Sequence, residues 1–214
     1  LDKRILETPS FAIETAVREV VHMGEFTLTS ARMAVEALMT DNQELIDKVF
    51  EREKDINELE KILTQYLVDV ENLPLNEEQH VLIKNLFYSV NDLERIGDHA
   101  ENIVELATTK VKDQLQFSEE AVKGLNQIAD KTLTAVETAL LARREMNKEK
   151  VSRVVNLEDE VDALEDLLRE SHIKRLAKSE CTAENGVIFL DVISNLERIS
   201  DHANNIAEYV LDEK

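Results

Sequence analysis

The segment LERIGDHAENIVE, Leu93 to Glu105, recurs 103 residues further on as LERISDHANNIAE, Leu196 to Glu208. The copies differ only in Gly97 for Ser200, Glu101 for Asn204 and Val104 for Ala207. A second pair, EREKDINELEKIL from Glu51 and NLEDEVDALEDLL from Asn156, stands at nearly the same offset. Self-similarity of this kind means one supersecondary unit used twice, each copy burying what the other cannot bury alone. The 214 residues include only two prolines and four glycines, with 43% hydrophobic and 33% charged side chains. So few chain breakers fit long amphipathic helices rather than a turn-rich sheet protein.

Apolar spacing and start signals predict three helices in each copy. The first opens at Thr8 and Pro9, with Ile13, Val17, Val20, Thr27, Ala31 and Leu38 on one stripe. Asp41 with Glu44 opens a second, carrying Leu45, Val49, Ile56, Leu59, Leu63 and Tyr66. Asn76 with Gln79 caps a third after the break at Pro74, facing inward through Leu82, Leu86, Val90, Leu93, Ala100, Val104 and Ala107. The pattern restarts at Ser118, at Asn147 and, after a turn around Cys181 and Thr182, with Val187, Leu190, Ile193, Leu196, Ala203, Ile206 and Val210. A narrow apolar seam on each helix suits near-antiparallel packing. The expected fold is all-α: two tandem three-helix bundles, six long helices related by a pseudo-two-fold repeat. Residues 1–8 form a linker, 9–113 the first unit and 114–214 the second.

The formal net charge is −20, from 45 acidic and 25 basic side chains. Such a field repels phosphate backbones and anionic headgroups, which excludes nucleic acid as a partner and favours cations or a basic protein surface. No stretch has the ~18 apolar residues of a span, so this segment is not expected to enter a membrane. The single cysteine, Cys181, leaves no internal disulfide or paired-thiol zinc site, pointing to a reducing compartment and a cytoplasmic location. The start at Leu1, without a methionine, is that expected of a fragment.

The negative charge is not scattered. Four helices carry an acid, then Asp or Asn four residues on, then Glu or Asn three further. These are Glu53, Asn57, Glu60; Glu94, Asp98, Glu101; Glu158, Asp162, Glu165; and Glu197, Asp201, Asn204. At ~100° per residue each triplet spans an arc of about 60°, so it forms one line along its helix beside the apolar seam. None of the twelve positions is Lys or Arg. Like charges at i, i+4 cost roughly 0.2 to 0.5 kcal/mol per pair, and a purely solubilising face would interleave bases. Two facing lines per unit are therefore expected to hold cations. Oxygen-only ligands suit magnesium, calcium, manganese or iron, with zinc also compatible. Arg95 and Arg198 recur beside the lines, where they pair with a neighbouring carboxylate or meet an anion held by the metal. His99 and His202 recur too, but lie ~100° round the helix from the preceding Asp, and read as packing residues that support the ligands. Gly97, facing Ser200 in the repeat, suggests a close helix approach.

These residues resemble the PhoU family, whose signature is a repeated Glu or Asp, three residues, Asp, two residues, Glu on two helices of each three-helix unit. ERIGDHAE at Glu94 to Glu101 and EDEVDALE at Glu158 to Glu165 match it in full, whereas Asn57 and Asn204 depart from it. The resemblance covers essentially the whole chain. It implies two three-helix bundles, multinuclear iron or zinc clusters at the motif pairs, and a non-catalytic role in phosphate uptake and phosphate signalling. It also implies contact with a phosphate transporter or a sensor kinase, and a homodimer is a further arrangement to test. The opening LDKRILETPSFAIETA is similar to the segment that joins bacterial sodium/phosphate cotransporters to a cytoplasmic PhoU-like tail.

Two rival functions stand beside this. A ferritin-like di-metal oxidase needs Glu-x-x-His pairs pointing into a four-helix core. Glu19 with His22 and Glu77 with His80 have that spacing but no counterparts in the second half. A metal-free helical adaptor would instead present the acidic lines to a basic partner. Direct phosphate binding has no Gly-rich loop to support it.

Overall fold

The computed structural model describes residues 8–178 and 181–213. The linker expected over 1–8 lies outside them apart from Thr8, as do residues 179 and 180 of the turn before the last helix. Six helices follow in order: α1 Pro9–Thr40, α2 Gln43–Glu71, α3 Glu77–Lys112, α4 Glu119–Glu145, α5 Lys148–Ala177 and α6 Ala183–Glu208. A short 3-10 turn, Tyr209–Asp212, ends the series.

Local chemistry sets most of the boundaries. Asn76 and Gln79 form a reciprocal capping box at 2.9 and 3.0 Å. Ser118, Asn147 and Thr182 cap α4, α5 and α6 through their side-chain oxygens. The start of α2 differs from expectation. Asp41 does not open it but ends α1 in the left-handed region, with φ 53, a conformation that short polar side chains tolerate. Asn42 is the cap, its Oδ1 accepting from the backbone of Glu44 and Leu45 at 3.0 and 3.2 Å. The freed Asp41 carboxylate receives the Nζ of the buried Lys110 from the end of α3. Thr8 precedes α1 without a side-chain cap bond.

Within each half the three helices pack on one another, and the halves meet along α3 against α6 and α1 against α4. The seams bury Ile46, Val49, Ile56, Leu63 and Leu67 on α2 and Leu86, Val90, Leu93 and Ile96 on α3. Each such side chain contributes about 1.5 to 3 kcal/mol on burial. One stripe position fails: Val187 is 59% exposed. The first turns of α6 instead turn Ile188 and Phe189 inward, and Phe189 stacks on His172 of α5 at 5.1 Å. The close approach expected at Gly97 is present, since a Cβ there would lie 3.1 Å from two carbons of Ile56. In the second half the equivalent positions hold Ser200 and Val161, both buried, so a larger residue on α6 accompanies a smaller one on α5. No described helix is long and apolar enough to cross a membrane.

Candidate metal centres

The rows of each half lie on α2 and α3, or on α5 and α6, which are packed neighbours. In the second half the structure draws together Glu158, Asp162 and Asp201, each offering a carboxylate oxygen within 4.8 Å of the others. Burial, then Asp162 and Asp201, raises the pKa of Glu158, while burial and Asp201 raise that of Asp162. Glu197 is raised by burial, then by Asp201 and Asp162. Glu165 is already paired, because Arg169 one turn on holds both of its oxygens. Asn204 keeps a buried Oδ1 without any hydrogen-bond partner.

Among the described residues the first-half rows bring no three carboxylates as close together as that, and their carboxylates interact at longer range. Glu53 is 4% exposed, and burial, followed by Glu101, Asp98 and Glu94, pushes its pKa up to about 7. Burial and Asp98 raise Glu94 against the opposing pull of Arg95, and burial with Glu105 and Asp98 raises Glu101. Asn57 stands where the second half has Asp162, and its amide donates to Glu53 Oε2 at 2.7 Å. The other oxygen, Glu53 Oε1, is buried with no partner. Glu60 accepts from Thr64 at 3.1 Å.

Each half thus presents a carboxylate-rich strip with one orphaned buried oxygen, and an unpaired buried acceptor is costly. An all-oxygen set of mutually repelling carboxylates suits a hard or borderline cation, which would satisfy that oxygen and remove the repulsion. The recurrent arginines are exposed and paired on their own helices. Arg95 reaches Asp98 at 3.0 Å and Glu94 at 3.6 Å, and Arg198 lies 4.0 Å from Glu197. His99 and His202 sit in the α3–α6 seam with rings stacked at 5.6 Å. His99 Nδ1 bonds Asn195 Oδ1 at 2.8 Å, and His202 Nδ1 bonds Asp92 Oδ1 at 2.7 Å.

Some participants were hidden from sequence reasoning. Asp92 and Asn195 are themselves 103 residues apart, one position before the duplicated segment, and an alignment begun at Leu93 stops just short of them. Arg169 gave no periodic signal, because it has no basic counterpart at Thr64. The Glu-x-x-His pairs do not enter a core: His22, Glu77 and His80 are exposed, and His80 bonds Glu71 at 2.7 Å.

The PhoU domain model matches residues 20–107 and 125–210, one copy in each half. The chain belongs to the PhoU family. It is 31% identical over 180 residues to a Thermotoga maritima protein named phosphate-specific transport system accessory protein PhoU homolog 1, covering 83% of this chain and 76% of that one. A Synechocystis protein named phosphate-specific transport system accessory protein PhoU homolog is 27% identical to it over 201 residues, covering 93% of this chain and 88% of that one. The crystal structure of PhoU from Pseudomonas aeruginosa superposes with a TM-score of 0.90 at 23% identity, covering 95% of this chain and 97% of the other, which shows a shared fold. These PhoU relatives are named as accessory proteins and not as enzymes, in keeping with a non-catalytic chain.

Proposed function

We propose that this PhoU-family chain regulates phosphate transport from the cytoplasmic side and holds cations, iron or zinc first, between the paired acidic helices of each half. The observation that carries the reading is the convergence of Glu158, Asp162 and Asp201 from two helices with no base among them. A cation there would fix the separation of α5 and α6, and its counterpart in the first half that of α2 and α3. The helix surface offered to a phosphate transporter or a sensor kinase would then depend on occupancy. His99, His202, Arg95 and Arg198 would support the ligands without binding the ion.

Elemental analysis of protein purified without a histidine tag tests this. Metal should be present in the unaltered chain and lost when Glu158, Asp162 and Asp201 are all replaced by alanine. A chain that retains no metal after exposure to iron, zinc, manganese or magnesium would overturn the reading. One observation favours a metal-free adaptor instead. Arg95 already pairs with Asp98, and Arg169 with Glu165, so part of the charge is met internally. Such an adaptor would bind its basic partner equally well with and without a chelator.

A further inference from the structure

A fully buried guanidinium, outside the acidic rows, lies in the last turn of α4 beside the segment that follows α6. Arg143 of α4 has no solvent exposure. Its Nη1 donates to Glu213 Oε1 at 2.7 Å, and its Nη2 to Glu213 Oε2. Asn85 of α3 adds a donor to Glu213 Oε1 at 3.1 Å. Nη2 also meets Met146 Sδ at 3.7 Å, and the buried Nε has no partner. The donors are therefore built into two long helices, one from each half. The anion they hold is brought by the short segment that follows α6.

That segment is anchored unevenly. Tyr209 bonds Asp92 at 2.9 Å and Val210 is buried, but Leu211 and Asp212 are exposed. Among the described residues beyond Val210, the ties are the Glu213 carboxylate, its backbone N–H to Val210 O at 3.4 Å, and Lys148 Nζ to Leu211 O at 3.3 Å. Rotation of residues 211–213 would withdraw the carboxylate without disturbing any of the six helices. It would leave a desolvated cation, which another anion must then satisfy. A planar guanidinium fork with an amide beside it accepts pairs of phosphate oxygens as readily as a carboxylate.

We propose that Arg143 and Asn85 form an oxyanion site that Glu213 fills from within the chain, and that inorganic phosphate exchanges with Glu213 there. This site needs no Gly-rich loop, and it stands independently of the cation reading above. A tethered ligand on a short link acts at an effective concentration of roughly millimolar, so free phosphate competes only in about that range. The side chain of Glu213 thereby sets a threshold for the exchange.

Hydrogen exchange of the unaltered full chain in phosphate, against chloride at matched ionic strength, tests the release directly. Amides of residues 211–213 should exchange faster in phosphate alone, and unchanged rates would overturn the proposal. Thermal melts then test the site. Glu213→Gln should gain a saturable stabilisation by phosphate, half-maximal at a concentration about tenfold lower than that which frees the segment in the unaltered chain. The double variant Arg143→Gln, Glu213→Gln should show no such response, and a response equal to that of the single variant places the anion elsewhere. Phosphate carried on a bound metal would act on all three proteins alike, so failure of this site is distinguishable from failure of the cation reading. Should Glu213→Gln not fold, the exchange measurement on the unaltered chain still decides.

Discussion

His202 donates its Nδ1 hydrogen to Asp92 across the seam between the halves, at 2.7 Å. The same carboxylate receives the Asn205 amide at 3.2 Å and the Tyr209 hydroxyl at 2.9 Å. Its repeat-related partner, Asn195, accepts from His99 and Asn102 in the mirrored positions, at 2.8 and 3.2 Å. A pseudo-two-fold axis therefore runs between the two stacked imidazoles, and α3 and α6 are joined by one charged and one neutral version of the same contact.

Replacing Asp92 should reveal how much this seam contributes. Asp92→Ala leaves three donors without an acceptor and is expected to cost about 1 to 3 kcal/mol in urea unfolding. Asp92→Asn, which copies the natural arrangement at Asn195, should cost less. Coupling to His202→Ala in a double-mutant cycle should be on the order of 0.5 to 3 kcal/mol, and additivity would mean that the bond carries no stability.

The part that Glu53 plays in the pH dependence of the metal-free protein has a definite sign. Folding raises the Glu53 pKa from 4.5 to about 7, so the native state binds the proton more tightly than the unfolded chain. The contribution is fully present below about pH 4.5 and is lost as pH rises towards 7, on the order of 3 kcal/mol in all. Burial lowers the pKa of His99 and His172 and acts in the opposite sense, so the readout is the difference. The urea midpoint of the unaltered chain in chelator, relative to Glu53→Gln, should fall between pH 5 and pH 8. A pH profile that Glu53→Gln leaves unchanged would contradict the buried carboxylate.

Neutralising the second-half cluster separates charge from cation. Glu158→Gln, Asp162→Asn and Asp201→Asn together remove mutual repulsion worth roughly 0.2 to 0.5 kcal/mol per pair and should stabilise the chelated protein. The same change should abolish any rise in melting temperature on adding iron or zinc, because a ligand of the native state stabilises only where it binds. Melts that rise equally in both proteins would locate the cation outside this cluster.

Gly24 controls the other contact between halves. A Cβ at that position would fall 2.2 Å from Leu140 Cδ2 on α4, closer than packed carbons allow. Gly24→Ala must displace the flexible end of the Leu140 side chain. The gain of about 1 kcal/mol in helix propensity offsets part of this overpacking, so the net cost should be no more than about 1 kcal/mol. The penalty should shrink when Leu140 is also cut back to alanine, as thermal melts of the single and double variants would show.

The sequence carried the helices and their pairing because both depend on local, periodic signals. Apolar spacing placed Val49, Ile56 and Leu63 on one seam, and the duplication placed Glu94 and Glu197 on matching helices. What it could not carry was geometry decided by single side chains across the fold. Asp41 has the chemistry of a cap and serves as one only in the sense of ending α1, since the neighbouring Asn42 takes the exposed amides. Val187 satisfies the apolar count of its helix, yet Phe189 and its ring contact with His172 set which face turns inward. Nor does any spacing rule announce that Arg169 would pair with Glu165, or that Glu213 would reach Arg143 from 70 residues away.

The acid missing from α2 at Asn57 and the acid missing from α6 at Asn204 fall at different places in the two halves. The two copies are alike in fold, but each has an amide at a different member of its set. The halves are therefore unlike instruments, one with its spare carboxylate on α3 and the other with it on α5. A calorimetric titration with a divalent ion should resolve into two unequal steps, giving the chain a graded response where identical copies would give a single threshold.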